Sequence, residues 1–204
     1  MLGKHVAITG PTAGIGRHTA LELATRGAQL TLFCRNEQKA EALQQDIVAV
    51  SGTSPRVIIM DMADLSSVRR AAGEFMALDS PLDVLLNNAG VINTTRRETV
   101  DGFEETLAVN HFAPFLLTGL LLPALQRAPS ARIVNVASDA HRFARDMGFE
   151  DMQAEKGYRT FREYGRSKLA NILFTRSLAR RLEAYDITVN CLHPGAVATS
   201  LGKN

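Results

Sequence analysis

Tyr164 and Lys168 stand four residues apart in Tyr164-Gly165-Arg166-Ser167-Lys168. On a helix that spacing puts both side chains on one face. A free tyrosine, with a pKa near ~10, exchanges protons weakly near neutrality. A cation beside it, together with an oxidised nicotinamide ring, would stabilise the phenolate and lower that value. Tyr164 then serves as acid when a carbonyl is reduced and as base when an alcohol is oxidised. Taken alone, a Tyr/Lys pair of this kind is common and structural, so the reading depends on what surrounds it. Ser138 ends the apolar run Ile133-Val134-Asn135-Val136-Ala137. Its hydroxyl is placed to hydrogen-bond a substrate oxygen, or to cap the next turn. Asn110 falls inside a long helical pattern, a poor position for asparagine on propensity. It holds either a water in a proton relay or buried backbone.

A second group of residues suits a dinucleotide. Thr9-Gly10-Pro11-Thr12-Ala13-Gly14-Ile15-Gly16 has glycines spaced G-x-x-x-G-x-G between a strand and a helix. Gly10 suits the tight turn, Gly14 a close approach of backbone to a pyrophosphate, and Gly16 close packing of helix on sheet. The N–H groups of Ala13 and Ile15 open the helix, where phosphate binds, and Thr12 adds a hydroxyl donor. The next strand ends Phe33-Cys34-Arg35-Asn36, without the acid that commonly holds a ribose 2′-OH. Arg35 suits a 2′-phosphate, which favours NADP(H) over NAD(H). Asn87-Asn88-Ala89-Gly90 follows another strand, with Asn87 suited to tying strands together and Gly90 to close cofactor approach; Asn87, Ala89 and Gly90 are expected against the cofactor, as is Asn36 beside Arg35. His193-Pro194-Gly195 makes a sharp turn after the last strand, and Thr199 lies within reach of a carboxamide or phosphate. His193 reads as a structural neighbour of that turn.

The elements that must position these residues alternate. Strands are expected at Val6–Thr9, Gln29–Phe33, Arg56–Met60, Asp83–Leu86, Arg132–Val136 and Ile187–Leu192. Helices are expected at Ile15–Arg26, Glu37–Val50, Ser66–Ala77, Phe103–Arg127 and Phe161–Ala184. The βαβ succession implies an α/β fold, a Rossmann-type doubly wound parallel sheet with helices on both faces. Every motif above falls at the carboxyl end of a strand or on the helix beside it, where such folds bind ligands. Asp139–Thr160 is the least regular stretch and reads as an ordered loop or short helix over the site, or as a surface insertion.

Composition agrees. The chain has 204 residues, 46% hydrophobic and 22% charged, with 23 basic against 21 acidic side chains. That suits one nucleotide-binding domain over 1–204. A net charge of +2 argues against a nucleic-acid or membrane partner. Cys34 and Cys191 read as reduced packing residues, and no Cys/His cluster has the spacing of a zinc site, so no metal is expected. No targeting signal precedes the first strand, and the longest apolar stretch, Phe112–Leu125, is interrupted by prolines and reads as too short to span a bilayer. A cytoplasmic location is the expectation. The helices Phe103–Arg127 and Phe161–Ala184 carry much apolar surface, including Leu116, Leu120, Leu173 and Phe174. A homodimer or homotetramer through them is expected.

In combination these motifs resemble the short-chain dehydrogenase/reductase family over nearly the whole chain. Thr9 to Gly16 is similar to its cofactor-binding turn, and Asp61 with Met62 to its adenine-side acid. Asn87 to Gly90 resembles its N-N-A-G, and Pro194-Gly195 with Thr199 its nicotinamide-side turn. Asn110, Ser138, Tyr164 and Lys168 resemble its catalytic tetrad. The resemblance implies that Tyr164 is the acid/base and that Ser138 positions the substrate oxygen. It also implies that Lys168 binds the nicotinamide ribose and lowers the Tyr164 pKa, and that Asn110 holds a relay water. Cys34-Arg35, Val134 to His141 and Ser167 to Asn171 resemble the retinol-dehydrogenase-like and WW-domain-oxidoreductase-like branch. That branch implies NADP(H) and retinoids, steroids or other lipophilic alcohols and aldehydes. Members continue past the position of Thr199 through a substrate-binding loop, more helix and a seventh strand, so a C-terminal part is expected to be missing after Asn204. The alternative reading is a non-catalytic dinucleotide-binding sensor or scaffold on the same fold. A methyltransferase of Rossmann type explains neither Arg35 nor the tetrad.

Overall fold

Apolar β-branched runs of four to six residues form the strands, and longer runs with three- to four-residue periodicity form the helices between them. The computed structural model describes residues 1–195. In chain order the elements are β1 (His5–Thr9), α1 (Gly14–Thr25), β2 (Gln29–Cys34), α2 (Glu37–Ser51), β3 (Arg56–Ile59), α3 (Leu65–Met76) and β4 (Val84–Asn87). A short α4 (Glu105–Leu107) then runs through a π-helical turn (Ala108–Phe112) into α5 (Ala113–Gln126). β5 (Ala131–Val136), α6 (Thr160–Arg181) and β6 (Ile187–Leu192) follow.

The six strands form one sheet in the order β3-β2-β1-β4-β5-β6, every pair parallel. This is the doubly wound order, and it reverses between β1 and β4, where the carboxyl ends open a crevice. Ile8 pairs with Leu32 on one side and Leu86 on the other, so β1 sits at the centre.

Each face of the sheet has its own core. Val6, Ile8, Leu30 and Leu32 meet Ala20, Ala24, Leu43 and Ile47 of α1 and α2. On the other face Phe33, Ile58, Leu85 and Ile133 meet Phe75 of α3, Leu117 and Leu121 of α5, and Leu182 just past α6. On β6 the alternation is one-sided: Ile187 and Val189 are buried, Thr188 and Asn190 exposed.

The expected Phe103–Arg127 helix is therefore broken into three pieces, because the π turn interrupts it. Counted as one unit, Glu105–Gln126 is 22 residues and holds an 18-residue window with a mean hydropathy of 1.5, long and apolar enough to cross a membrane by length and composition alone. This is longer than the interrupted apolar stretch read from the sequence. Its Leu117, Leu121, Ala124 and Leu125 are fully buried against the sheet, and 56% of the apolar window is buried in all.

At the amino end of β1, far from the crevice, His5 is buried. Its Nδ1 lies 3.0 Å from the Pro81 carbonyl and its Nε2 2.9 Å from Thr31 Oγ1. A carbonyl only accepts, so Nδ1 carries the proton and the Thr31 hydroxyl donates to Nε2. Burial pushes the His5 pKa below its ordinary 6.5. A depressed folded value gives stability that is present above the ordinary pKa and lost as pH falls below it. Burial lowers His111 in the same sense. The melting temperature is expected to fall between about pH 7 and about pH 5, and His5→Gln to lessen the fall. Melting curves with the same pH slope in both proteins would remove His5 from this account.

Candidate active site

The site begins where β1 turns into α1. Gly16 has no room for a side chain: a Cβ there would meet the Gly10 carbonyl oxygen at 2.3 Å and Asn88 Nδ2 at 2.5 Å. The helix thereby packs tightly on the strand ends. The Thr9 hydroxyl accepts from the N–H groups of Asn88 and Ala89, each at 3.0 Å. In return the Asn88 side chain donates to the carbonyls of Thr9 and Gly10, at 3.0 and 3.1 Å. The β1 and β4 turns are thus bound together across the reversal point. Ala13 precedes α1 without a capping side-chain bond, and the first turn of α1 holds no acid. Its free N–H groups and positive dipole end face the crevice unopposed.

A cavity of about 460 Å³ runs along the carboxyl ends. Of the residues singled out in the sequence, Gly10, Thr12, Ala13, Gly14, Ile15, Gly16, Arg35, Asp61, Met62, Ala89 and Gly90 line it, with Ser138, Tyr164, Lys168, Pro194 and Gly195. Three do not. Asn36 caps α2, its side chain accepting from Lys39 N–H at 2.9 Å. Asn87 points into the fold, donating to Thr118 Oγ1 at 3.0 Å and Asn135 Oδ1 at 2.8 Å. Asn110 sits one layer behind the cavity wall. Thr199 lies outside the described residues. The structure adds Lys39, Asn88, Val91, Val109 and His193 to the lining. Lys39 was legible as a cation four residues past Arg35, on the same side of the β2 end. His193 Nδ1 accepts from Asp139 N–H at 3.3 Å, fixing the turn after β5 against the one after β6.

Ser138 and Tyr164 face each other because α6 approaches the turn after β5 closely. A Cβ on Gly165 would meet the Ala140 carbonyl at 2.5 Å. Ser138 begins the 3₁₀ turn Asp139–Phe143, and its oxygen accepts from Ala140 N–H at 3.1 Å. Capping occupies the oxygen and leaves the hydroxyl proton free to donate. Lys168, 3% exposed, donates to the Val136 carbonyl at 2.9 Å and stands 5.5 Å from the centre of the Tyr164 ring.

The expected lowering of the tyrosine is not a property of the chain alone. Burial pushes the Tyr164 phenol up, and the Ser138 hydroxyl pulls it partly back. Burial also pushes the Lys168 ammonium down to about 8. Burial thus favours the protonated phenol of Tyr164, the form that gives a proton to a carbonyl oxygen, beside a Lys168 ammonium that is still charged near neutral pH.

Asn110 is fully engaged. Its Oδ1 accepts from Val91 N–H at 2.8 Å, and its Nδ2 donates to the Val91 carbonyl at 2.9 Å and to Ser167 Oγ at 3.0 Å. The amide fastens the wall after β4 to the turn that carries Tyr164. The stretch Asp139–Thr160 forms two 3₁₀ turns, Asp139–Phe143 and Phe149–Asp151. It packs on the start of α6, anchored by Tyr158 Oη on the Asn93 carbonyl at 3.0 Å and by Arg96 Nε on the Gln153 carbonyl at 2.9 Å.

Known proteins share this arrangement. The family model for short chain dehydrogenases matches residues 4–204. Retinol dehydrogenase 14 of Mus musculus is 44% identical over 215 residues, covering 100% of this chain and 64% of that protein. Retinol dehydrogenase 11 of Homo sapiens is 44% identical over 200 residues, covering 98% of this chain and 63% of its own length. The chain thus spans less than two thirds of these relatives. An uncharacterised protein from Mycobacterium paratuberculosis superposes with a TM-score of 0.84 at 40% identity, over 95% of this chain and 69% of that one. A short chain dehydrogenase from Shigella flexneri 2a, complexed with NADP, superposes with a TM-score of 0.79 at 25% identity, over 95% of this chain and 77% of that one. A six-stranded sheet in doubly wound order, a tight glycine turn at its reversal point and a match over almost every residue lead to one conclusion: the chain belongs to the short chain dehydrogenase family, in its retinol-dehydrogenase-like branch.

Proposed function

We propose that the chain is an NADP(H)-dependent oxidoreductase that moves a hydride between nicotinamide and a carbonyl or alcohol of lipophilic, retinoid-, steroid- or aldehyde-like character. One observation carries this: a buried, protonated Tyr164 one helical turn from the buried ammonium of Lys168 and facing Ser138, all in the crevice at the strand ends. A sensor of the nucleotide needs no such pair. The substrate class leans on the relatives, which are retinol dehydrogenases.

The residues fit the cofactor. The glycine turn, closed to any Cβ at Gly16, and the open amino end of α1 suit a pyrophosphate. Arg35, joined by Lys39, suits the 2′-phosphate, and no carboxylate stands at the end of β2 to repel it. Asp61 and Met62 would border the adenine. Ala89, Gly90, Pro194, Gly195 and Thr199 would lie on the nicotinamide side. When bound, NADP(H) supplies or accepts the hydride. In reduction the Ser138 O–H holds the substrate oxygen and Tyr164 gives its phenolic proton to that oxygen. In oxidation the same phenol oxygen takes the proton back. Lys168 would hold the nicotinamide ribose, and its charge favours the phenolate that each cycle creates. Asn110 keeps Val91 and the Tyr164 turn in register.

Cys34 and Cys191 are both free thiols, which suits a reducing compartment, and the cytoplasm is the location we propose. We also propose pairing of copies, as dimer or tetramer, through the outer side of α5 and α6, where Phe115, Leu122, Phe174 and Leu178 border an apolar groove.

Three experiments test this reading. In fluorescence titrations, Arg35→Ala is expected to weaken NADPH roughly tenfold to a hundredfold, the loss of a charge-assisted hydrogen bond. NADH binding should be unmoved; equal losses for both nucleotides would contradict the 2′-phosphate assignment. Tyr164→Phe is expected to lower the rate of aldehyde reduction by about 10² or more while NADPH still binds. A wild-type chain that binds NADPH and reduces no carbonyl would instead be the dinucleotide-binding sensor. Lys168→Met is expected to lose turnover and yet melt no lower than wild type at neutral pH. It relieves up to about 3 kcal/mol of charge burial, less the bond to Val136. Because the folded pKa of Lys168 is depressed, that advantage should shrink as pH rises from about 8 to 10.5.

A further inference from the structure

Pro114 stands four residues after Asn110. In an α-helix the N–H of residue 114 would bond the Asn110 carbonyl, and proline has no N–H to give. The chain turns there in π register over Ala108–Phe112, with Ala113 N–H donating to the Ala108 carbonyl. Asn110 is 1% exposed, so its carbonyl must find a donor within the protein. Asn171 on α6 provides one: its Nδ2 donates to the Asn110 carbonyl at 2.9 Å.

That bond orients the whole Asn171 amide. A carbonyl only accepts, so Nδ2 faces Asn110 and Oδ1 faces the other way, 3.0 Å from His111 Nδ1. The imidazole therefore carries its proton on Nδ1 and donates to Oδ1. The ring is held among Phe112, Phe115 and Phe174, with centroids 5.8, 6.2 and 6.0 Å away. Burial pushes the His111 pKa down, and the bond to Asn171 partly offsets this. None of these atoms touches the crevice, yet the Asn110 side chain depends on them. A turn that relaxed from π to α register would rotate the following positions by about 100°. That rotation would take the Asn110 amide off both Val91 and Ser167.

We propose that Asn171, oriented by His111, is a positioning residue for Asn110: it replaces the helical donor that Pro114 removes and so fixes the turn that aims the Asn110 side chain. Its kinetic consequence rests on the oxidoreductase reading above; its structural consequence does not. The test uses the full chain and two readouts. Hydrogen exchange at Val91 N–H, which Asn110 Oδ1 accepts, reports the aim of the side chain without substrate. Aldehyde reduction at saturating NADPH reports kcat.

For Asn171→Ala and Asn171→Asp, Val91 exchange is expected to quicken about tenfold or more, with Ile133 in β5 unchanged. In the same variants kcat should fall roughly tenfold or more while NADPH affinity stays within about twofold. His111→Gln, whose amide donates to Asn171 Oδ1, should restore both readouts toward wild type relative to His111→Phe. His5→Gln, buried at the opposite end of the sheet, should lower the melting temperature and move neither. Where Asn171→Ala does not fold, His111→Phe carries the same comparison. Val91 protection unchanged in these variants overturns the proposal, as does faster exchange beside an unaltered kcat. A wild-type chain that reduces no carbonyl would sink the functional reading alone, since Val91 exchange still decides the positioning claim.

Discussion

A buried amide that finds partners fixes the register of whatever it joins, and a run of such amides, left open among the described residues only at Asn87 Oδ1, organises the region between the sheet and α6. Asn87 on β4 donates to Asn135 on β5, and Asn135 donates to Thr175 on α6. Thr175 donates to the Asn171 carbonyl, Asn171 to the Asn110 carbonyl, and Asn110 to Ser167. Ser167 closes the sequence on the Tyr164 carbonyl at 2.7 Å. Apolar side chains slide over one another at little cost, whereas these bonds admit one register. The height of α6 against the strand ends follows from them, and with it the place of Tyr164 and Lys168 at the crevice.

The same region carries a buried charge that the fold holds at a cost. An ammonium that burial pushes down to about 8 is a poor choice for stability, since an apolar side chain of similar length would cost less. Among the described residues its one hydrogen-bond acceptor is the Val136 carbonyl. Such a residue is intelligible where charge is needed at the moment a neighbouring phenol gives up its proton. Burial favours the protonated form of Tyr164, which on the proposed reading suits one direction of that exchange. The other direction requires positive charge that Lys168 alone does not impose on it.

The strands and the first glycine turn were legible because they depend on local chemistry: β-branched runs, helix starts and backbone that tolerates no Cβ. The doubly wound parallel arrangement followed from handedness once the βαβ units were read. Asn110 was legible as an anomaly, a poor helix former in a helical pattern, but its use was not. Its side chain answers Val91 and Ser167, which are 19 and 57 residues away, and periodicity carries no such information. The break in the long apolar helix was written in Pro114, yet a proline near a helix start is ordinarily tolerated. Asn36 and Asn87 were read toward the cofactor because of where they fall in the chain. One faces the α2 amino end and the other the interior, since capping and strand tying claim the short amide first. Lys39 lies in the first turn of α2, and whether that turn faces the crevice depends on how the helix leaves β2, which spacing alone does not carry.

The four bonds between Thr9, Gly10, Asn88 and Ala89 have a mechanical meaning. They cross the reversal point of the sheet just past the ladder that pairs β1 with β4, and carry that pairing on into the two turns. The crevice floor is therefore a single rigid plate rather than two leaves. A dinucleotide arriving there settles along a groove whose shape exists beforehand, and little of its binding energy goes into deforming the protein. Such rigidity leaves any gating to the loops above the strand ends.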